Sequence, residues 1–339
     1  MQTTTGSRMP IRSRLTALTA ALSLLLLAAP AGAGTPPTGA RSGDRLRTIV
    51  ALDDAAGQHP EGLAVARDGS LYVGMAPTGQ LASVDRRGRV TPLGAPAFPS
   101  GTGYLLGLAV DRDDHVFGAV VRFDGEPSGV WRYDAATSAW ELFAATDPAG
   151  FPNGLAFTGD GTLLVSDMTL GTIWAVDATG GVTEWLRDAA LEGGVNDAGV
   201  NGLAVDRAGS VWFTNTDGAT VGRIAVDRHG DPAGAPAIVA HDPLLASADG
   251  LALDATGNVW VAASYGSDRL LRVTRGGRVV LVADHEDGLD YTASVAFGRT
   301  RHQRHTLYLT NSGDDFGTPS VMATRTREPG LRPRYPPVP

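Results

Sequence analysis

A five-residue phrase recurs six times in this chain and limits what the chain can fold into. Glu61-Gly62-Leu63-Ala64-Val65 returns as Leu106-Gly107-Leu108-Ala109-Val110, Asn153-Gly154-Leu155-Ala156-Phe157, Asn201-Gly202-Leu203-Ala204-Val205 and Asp249-Gly250-Leu251-Ala252-Leu253. A weaker sixth copy is Ala293-Ser294-Val295-Ala296-Phe297. The second positions of the copies are 45, 47, 48, 48 and 44 residues apart. A period in this range with strand-like composition marks β-propeller blades. Helical repeats of similar length would show a period of about 3.6 residues, which is absent after the N-terminal leader.

Each copy opens the same series of elements. A short apolar strand (63–65) meets a polar turn (Arg67-Asp68-Gly69-Ser70), and a second strand (71–74) follows. Later copies turn at Asp160-Gly161, Asp206-Arg207-Ala208-Gly209 and Asp254-Ala255-Thr256-Gly257. Aspartate accepts local backbone hydrogen bonds and glycine takes positive φ, so both suit such turns. A third strand (80–84, 172–176, 270–273) and a fourth (89–93, 182–186, 279–282) complete each unit. The expected fold is all-β: a six-bladed β-propeller of four-stranded antiparallel blades over residues 45–325. The sixth copy lacks a fourth strand, and 45–52 is a spare strand placed to close the last blade. Trp131, Trp174, Trp212 and Trp260 fall on strands and are expected to pack between blades.

Residues 1–33 read as a secretory signal peptide. Arg8, Arg12 and Arg14 precede an apolar run from Leu15 to Ala29, and Ala31-Gly32-Ala33 supplies a small-residue cleavage site. That run is short for a membrane span, and nothing later is longer, so no membrane association is expected after cleavage and the protein is expected outside the cytoplasm. Residues 34–44 read as a flexible segment, and the proline-rich stretch 326–339 as a loose tail. The chain holds no cysteine, which excludes disulfides, a thiol nucleophile and thiolate metal sites. It also holds no lysine, which excludes Schiff-base chemistry. Loss of the leader removes three arginines and no acid, moving the formal charge from −8 to −11. Such a surface repels nucleic acid and anionic lipid, and none is expected as a partner. A small molecule is the expected partner, and a monomer the expected state.

The residue that opens each copy varies where the rest does not. The inner strand of a blade lines the central channel, so Glu61, Leu106, Asn153, Asn201, Asp249 and Ala293 should ring one end of it at a common height. Four carry side-chain oxygen. Two carboxylates and two amides, without His or Cys, suit Ca²⁺ better than Zn²⁺, although another divalent metal would fit. Glu61 and Asp249 together match the charge of a divalent cation. Without one, two carboxylates at a channel mouth would repel and at least one pKa would rise. A wet channel lined with polar residues is the simpler alternative.

The stretches from Phe151 to Phe157 and from Ala248 to Asp254, the latter running on to Ala262, resemble the senescence marker protein, gluconolactonase and luciferin-regenerating enzyme family. The resemblance spans roughly residues 45–325. It implies a six-bladed propeller with one catalytic divalent metal in the channel, acting on lactones or, in one branch, organophosphates. Carried onto this chain, it implies metal ligands at Glu61, Asn153, Asn201 and Asp249, with Asp249 also the general base or nucleophile. The opening His59 to Val65 is closer to the repeats of non-enzymatic scaffold propellers. A non-catalytic secreted scaffold that binds a small molecule, glycan or protein with a structural Ca²⁺ is therefore the competing expectation. A quinone-dependent dehydrogenase is a third, with no basic cluster at the channel to support it.

The second strand of each hairpin should return to the mouth about fourteen residues after the ring residue. This nominates Asp167 and Asn215 as groups that orient a ligand or hold a water. Arg122 is placed to meet an anionic substrate, and His59 to shuttle protons beside Glu61.

Overall fold

A computed structural model describes residues 46–332, apart from 97, 100 and 316. The expected signal peptide (1–33) and the segment 34–44 lie outside the described residues. Six four-stranded antiparallel sheets account for nearly all regular structure, and they form a six-bladed β-propeller. Blade 1 consists of Pro60–Val65, Leu71–Met75, Leu81–Val84 and Val90–Gly94. The inner strands of the other blades are Gly103–Val110, Pro152–Phe157, Val200–Val205, Ala248–Leu253 and Val295–Phe297. Every residue of Pro60–Val65 and Pro152–Phe157 is buried, whereas the outermost strand Val90–Gly94 has none buried. The gradient follows from position, since inner strands are covered by neighbouring blades and outer strands face water.

Strand Arg47–Ala51 completes the sixth blade by pairing antiparallel with Ser320–Arg325, from Arg47↔Ala323 to Ala51↔Ser320. The expected closure by an N-terminal strand is thus observed. It joins the first and last described strands in one sheet and so ties the ring at its seam.

The glycine of the repeat is needed where blades meet at the axis. A Cβ on Gly62 would strike the Leu106 carbonyl oxygen, one on Gly107 that of Asn153, and one on Gly154 that of Asn201. Gly202 stands in the same relation to Asp249, and Gly250 to Ala293. Each blade's glycine therefore packs on the backbone of the next blade's ring residue. Apolar side chains fill the wedges between blades. Trp212 packs with Leu251, Leu253 and Val259 of the next blade, and Trp260 lies 6.2 Å from Phe297, nearly perpendicular to it. Such clusters contribute about 1.5–3 kcal/mol per buried large side chain.

Of the expected tail 326–339, the described residues Pro329 to Leu331 make backbone hydrogen bonds to the propeller. Ala255 N–H donates to the Pro329 carbonyl, Gly330 N–H to Arg304 and Leu331 N–H to Leu253, each at 2.8 Å. These bonds satisfy backbone groups at the far end of the inner strand of blade 5.

Candidate active site at the channel mouth

The ring residue sits on an irregularity of the backbone. In blades 1 to 5 the pairing register shifts between the residue before the ring position and the leucine after the glycine. A β-bulge re-aims one side chain and raises the local twist. Here it recurs at the same point of five blades, so their ring residues form one tier. Glu61, Asn153, Asn201 and Asp249 are all buried, with 9, 6, 2 and 6 % of their surface exposed. Such burial is rare for carboxylates without partners.

Hydroxyls on the second strand fix three of these residues. Ser166 Oγ accepts from Gly154 N–H and donates to the Asn201 carbonyl of the next blade. Thr214 does the same between Gly202 and Asp249, and Thr310 between Ser294 and Glu61. Each clip ties a ring residue's backbone to the preceding blade.

The side chains are oriented from a position fifteen residues downstream. Asn153 Nδ2 donates to Met168 Sδ at 3.0 Å, and Asn201 Nδ2 to Thr216 Oγ1 at 3.2 Å. Ser264 Oγ donates to Asp249 Oδ2 at 3.0 Å. With their nitrogens so engaged, both asparagines keep a carbonyl oxygen for another partner. In blade 1 the corresponding residue is Ala76, which has no polar side chain, and Glu61 Oε2 is buried without any hydrogen-bond partner.

The electrostatics reflect this crowding. Burial first, and then the neighbouring Asp249 charge, raise the Glu61 carboxyl well above the usual carboxylate range. Burial pushes Asp249 up to about 7, against hydrogen bonds from Ser264, Asn201 and the Gly250 N–H. Two buried carboxyls facing each other, one with an unpartnered oxygen, carry a desolvation cost of several kcal/mol if both ionise. A divalent cation would offset that cost. Among the described residues no group of three or more His, Asp or Glu gathers. The donor set is two carboxylates plus two amide oxygens, which fits a hard, oxygen-preferring cation and not a soft one.

Four residues nominated from the sequence hold other places. Asp167 accepts from the N–H groups of Phe151 and Leu170 and from Trp174 Nε1. Asn215 donates to the carbonyls of Ala190 and Glu192 and accepts from Gly218 N–H. Both brace loops, and neither orients a ring residue. The fourteen-residue offset falls one short, and in a strand one residue reverses the side-chain direction. Arg122 pairs with Asp124 at 2.6 Å and lies over the Phe98 ring, so its charge is committed within the protein and does not await an anion. His59 stands at the rim between Asp54 (3.1 Å) and Asp314 (2.9 Å). Met168, Thr216 and Ser264 escaped the sequence reading, although their common offset from the three ring residues was available as a signal.

The ring thus brings two buried carboxyls and two amide oxygens together at one end of the channel. Residues 108–231 match the family described as SMP-30/Gluconolactonase/LRE-like region, and residues 42–77 the strictosidine synthase-like N-terminal family. The resemblance to the gluconolactonase family is thereby shown. No curated protein sequence matches at a significant level. Among solved structures, a calcium-binding regucalcin from Agrobacterium tumefaciens is 19% identical, with 87% of this chain and 98% of that one covered and a TM-score of 0.66. A luciferin-regenerating enzyme is 15% identical, with 87% and 97% covered and a TM-score of 0.62. A virginiamycin B lyase from Staphylococcus aureus, crystallised with quinupristin, is 13% identical, with 83% and 99% covered and a TM-score of 0.58. At these identities the likeness establishes the fold alone.

Proposed function

We propose that this protein is a secreted, divalent-metal-dependent hydrolase that opens a lactone or related ester at the propeller's channel mouth. The observation that carries the reading is the buried Glu61–Asp249 pair with its unpartnered carboxyl oxygen. The family match supports a lactonase-type activity in the coarse sense, and a calcium-binding protein stands among the structural neighbours.

Glu61, Asn153, Asn201 and Asp249 would hold the cation, for which Ca²⁺ is the best match to the donors. When bound, a divalent cation supplies charge that stabilises an oxyanion. The rest falls to the chain. Asp249 accepts the proton of an attacking water. Burial raises its carboxyl toward the basicity that suits a general base. Ser264 fixes which Asp249 oxygen stays available by donating to Oδ2. Asn153 and Asn201 add acceptor oxygens without adding charge, so the ring carries no more negative charge than one divalent ion neutralises. Leu106 and Ala293 interrupt the polar ring and leave room for the substrate.

The reading is tested with a lactone panel in a pH-stat. Wild type should hydrolyse at least one lactone and lose that activity in EDTA. Asp249→Asn should lower turnover by about 10²–10⁴-fold while the circular dichroism spectrum of the folded propeller is retained. Full activity of Asp249→Asn, or activity indifferent to EDTA, would contradict it.

A further inference from the structure

A second tier stands just above the ring. In five blades the carbonyl two residues before the ring position accepts a hydrogen bond from the N–H of the orienting position: His59 from Ala76, Phe151 from Met168, Gly199 from Thr216, Ser247 from Ser264 and Tyr291 from Ser312. In blade 2, Tyr104 has the same place in sequence, two residues before Leu106. Three of the six positions are therefore aromatic. His59, one of the polar ones, is engaged by Asp54 and Asp314.

Over the Ala293 gap, between Asp249 and Glu61 in ring order, two tyrosines meet. Tyr265 directly follows Ser264, which holds the Asp249 carboxylate, and Tyr291 lies two residues before Ala293. Their rings are 4.9 Å apart at an interplanar angle of 62°. The two hydroxyls interact, and burial raises both above the ordinary tyrosine value. Tyr265 is 45% exposed, yet its hydroxyl end is desolvated and lies within electrostatic reach of Asp249, Glu61 and Tyr104.

Both residues adopt left-handed backbone, with φ of 47° and 55°. That conformation is uncommon for non-glycine residues, costs of order 1–3 kcal/mol and clusters at ligand clamps. Glycine would occupy either position without strain. Two neighbouring tyrosines held in strained backbone, one of them half exposed, contribute little to folding that glycine would not. Their side chains serve another purpose.

We infer that Tyr265 is a substrate-binding, specificity-determining residue whose ring packs on the substrate body and whose hydroxyl donates to a substrate oxygen. Tyr291 is its positioning partner, and Tyr104 and Phe151 form the facing wall. The substrate class is a lactone or ester with a flat aromatic or apolar body, not a polyhydroxylated sugar lactone. Four aromatic rings offer stacking area to such a body, and they carry only three hydroxyls against the many hydrogen bonds of a polyol. The inference rests on the hydrolase reading for the location of the substrate, but its test needs no turnover.

The probes are two neutral lactams that resist hydrolysis, 3,4-dihydro-2-quinolinone and gluconolactam, titrated calorimetrically into wild type, Tyr265→Gly and Tyr265→Phe in the presence of CaCl₂. Wild type should bind the aromatic lactam at least about tenfold more tightly than the polyol. Tyr265→Gly should weaken aromatic binding by about tenfold at an equal or higher melting temperature. Tyr265→Phe should cost about three- to tenfold, the share of one hydrogen bond. Equal or tighter binding of gluconolactam, undetectable binding of both, or a Tyr265→Gly protein that is less stable but binds as wild type would overturn the inference. If the lactams discriminate as expected and no lactone is hydrolysed, the hydrolase reading fails and this assignment stands.

Discussion

The two ends of the channel are built from the same six strands, only a few residues apart, and they are chemically opposite. At the mouth the ring position carries Glu61, Asn153, Asn201 and Asp249, held in place by cross-blade hydroxyl clips. At the far end the following Leu-Ala-Val triplets and their equivalents line an apolar cavity of about 190 Å³, with Leu331 of the C-terminal segment beside them. The far end repeats nearly without variation because its task is packing, which is alike in every blade. The mouth breaks the symmetry, and an asymmetric ring can hold a cation on one side and admit a ligand on the other. In a repeat protein, positions that stay constant describe the fold, and positions that vary in an otherwise constant phrase describe the site.

The hinge between the two ends is the glycine, and the largest expected effect lies there. Gly202→Val drives a side chain into the Asp249 carbonyl of the next blade. The expected loss exceeds about 3 kcal/mol, read by chemical denaturation, with a cation site misplaced in whatever still folds. Tolerance of valine at this position would show that the inner strands approach less closely than described.

A change confined to the far end should separate fold from site. Leu251→Ala removes a buried side chain beside an existing cavity, and about 2 kcal/mol of stability should go with it. Affinity for calcium should not move, because the ring residue two positions earlier is untouched. A parallel loss of calcium binding would contradict the separation of the two ends.

The mouth alone should respond to pH. Without cation, folded Asp249 and Glu61 keep protons that the unfolded chain has lost, because their carboxyls are raised above the ordinary 3.8 and 4.5. Both states are protonated at these sites below about pH 4, so stability is highest there with respect to this pair. It falls as pH rises above about 4, the Asp249 share being lost by about pH 7 and the Glu61 share as its own raised carboxyl ionises. Between pH 5 and 8 in EDTA the pair should account for a loss on the order of 2 kcal/mol, absent from the Glu61→Gln/Asp249→Asn double variant. Equal pH dependence in the two proteins would remove the electrostatic argument for the site.

Ser264→Ala makes the smallest change. It deletes one hydrogen bond to the Asp249 carboxylate and should cost about 1 kcal/mol at neutral pH. The acidic limb of a kcat/KM profile should move to higher pH, since that bond favours the ionised form. An unmoved limb would show that another group sets it.

The six blades, their strand order and the closing strand were legible in the sequence, because a period of 44–48 residues and Asp-Gly turns have few structural solutions. The ring of Glu61, Asn153, Asn201 and Asp249 was legible for the same reason, being a fixed register in that period. The groups that orient the ring were not. Asp167 and Met168 are adjacent, and only the bulge and the pairing Pro152↔Asp167 decide which of them faces Asn153. The pairing of Arg122 with Asp124 depends on the turn that follows its strand, which the spacing of the repeat does not specify. The tyrosine pair was invisible because its two members lie 26 residues apart on different blades and meet only through left-handed backbone. The backbone bonds of Pro329 and Leu331 to blade 5 were not legible, because prolines reveal nothing of the carbonyls and N–H groups that a neighbouring strand leaves exposed.

Calcium titration by calorimetry, on wild type and on the Glu61→Gln/Asp249→Asn double variant, tests the central claim most directly. Wild type should bind one ion per chain, with a melting temperature that rises with calcium and falls in EDTA. The double variant should keep its fold and bind at least about 100-fold more weakly, since it loses both charges of the donor set. A wild-type protein that binds no divalent cation, or a double variant that binds as well as wild type, would mean that the buried carboxyl pair is not a cation site.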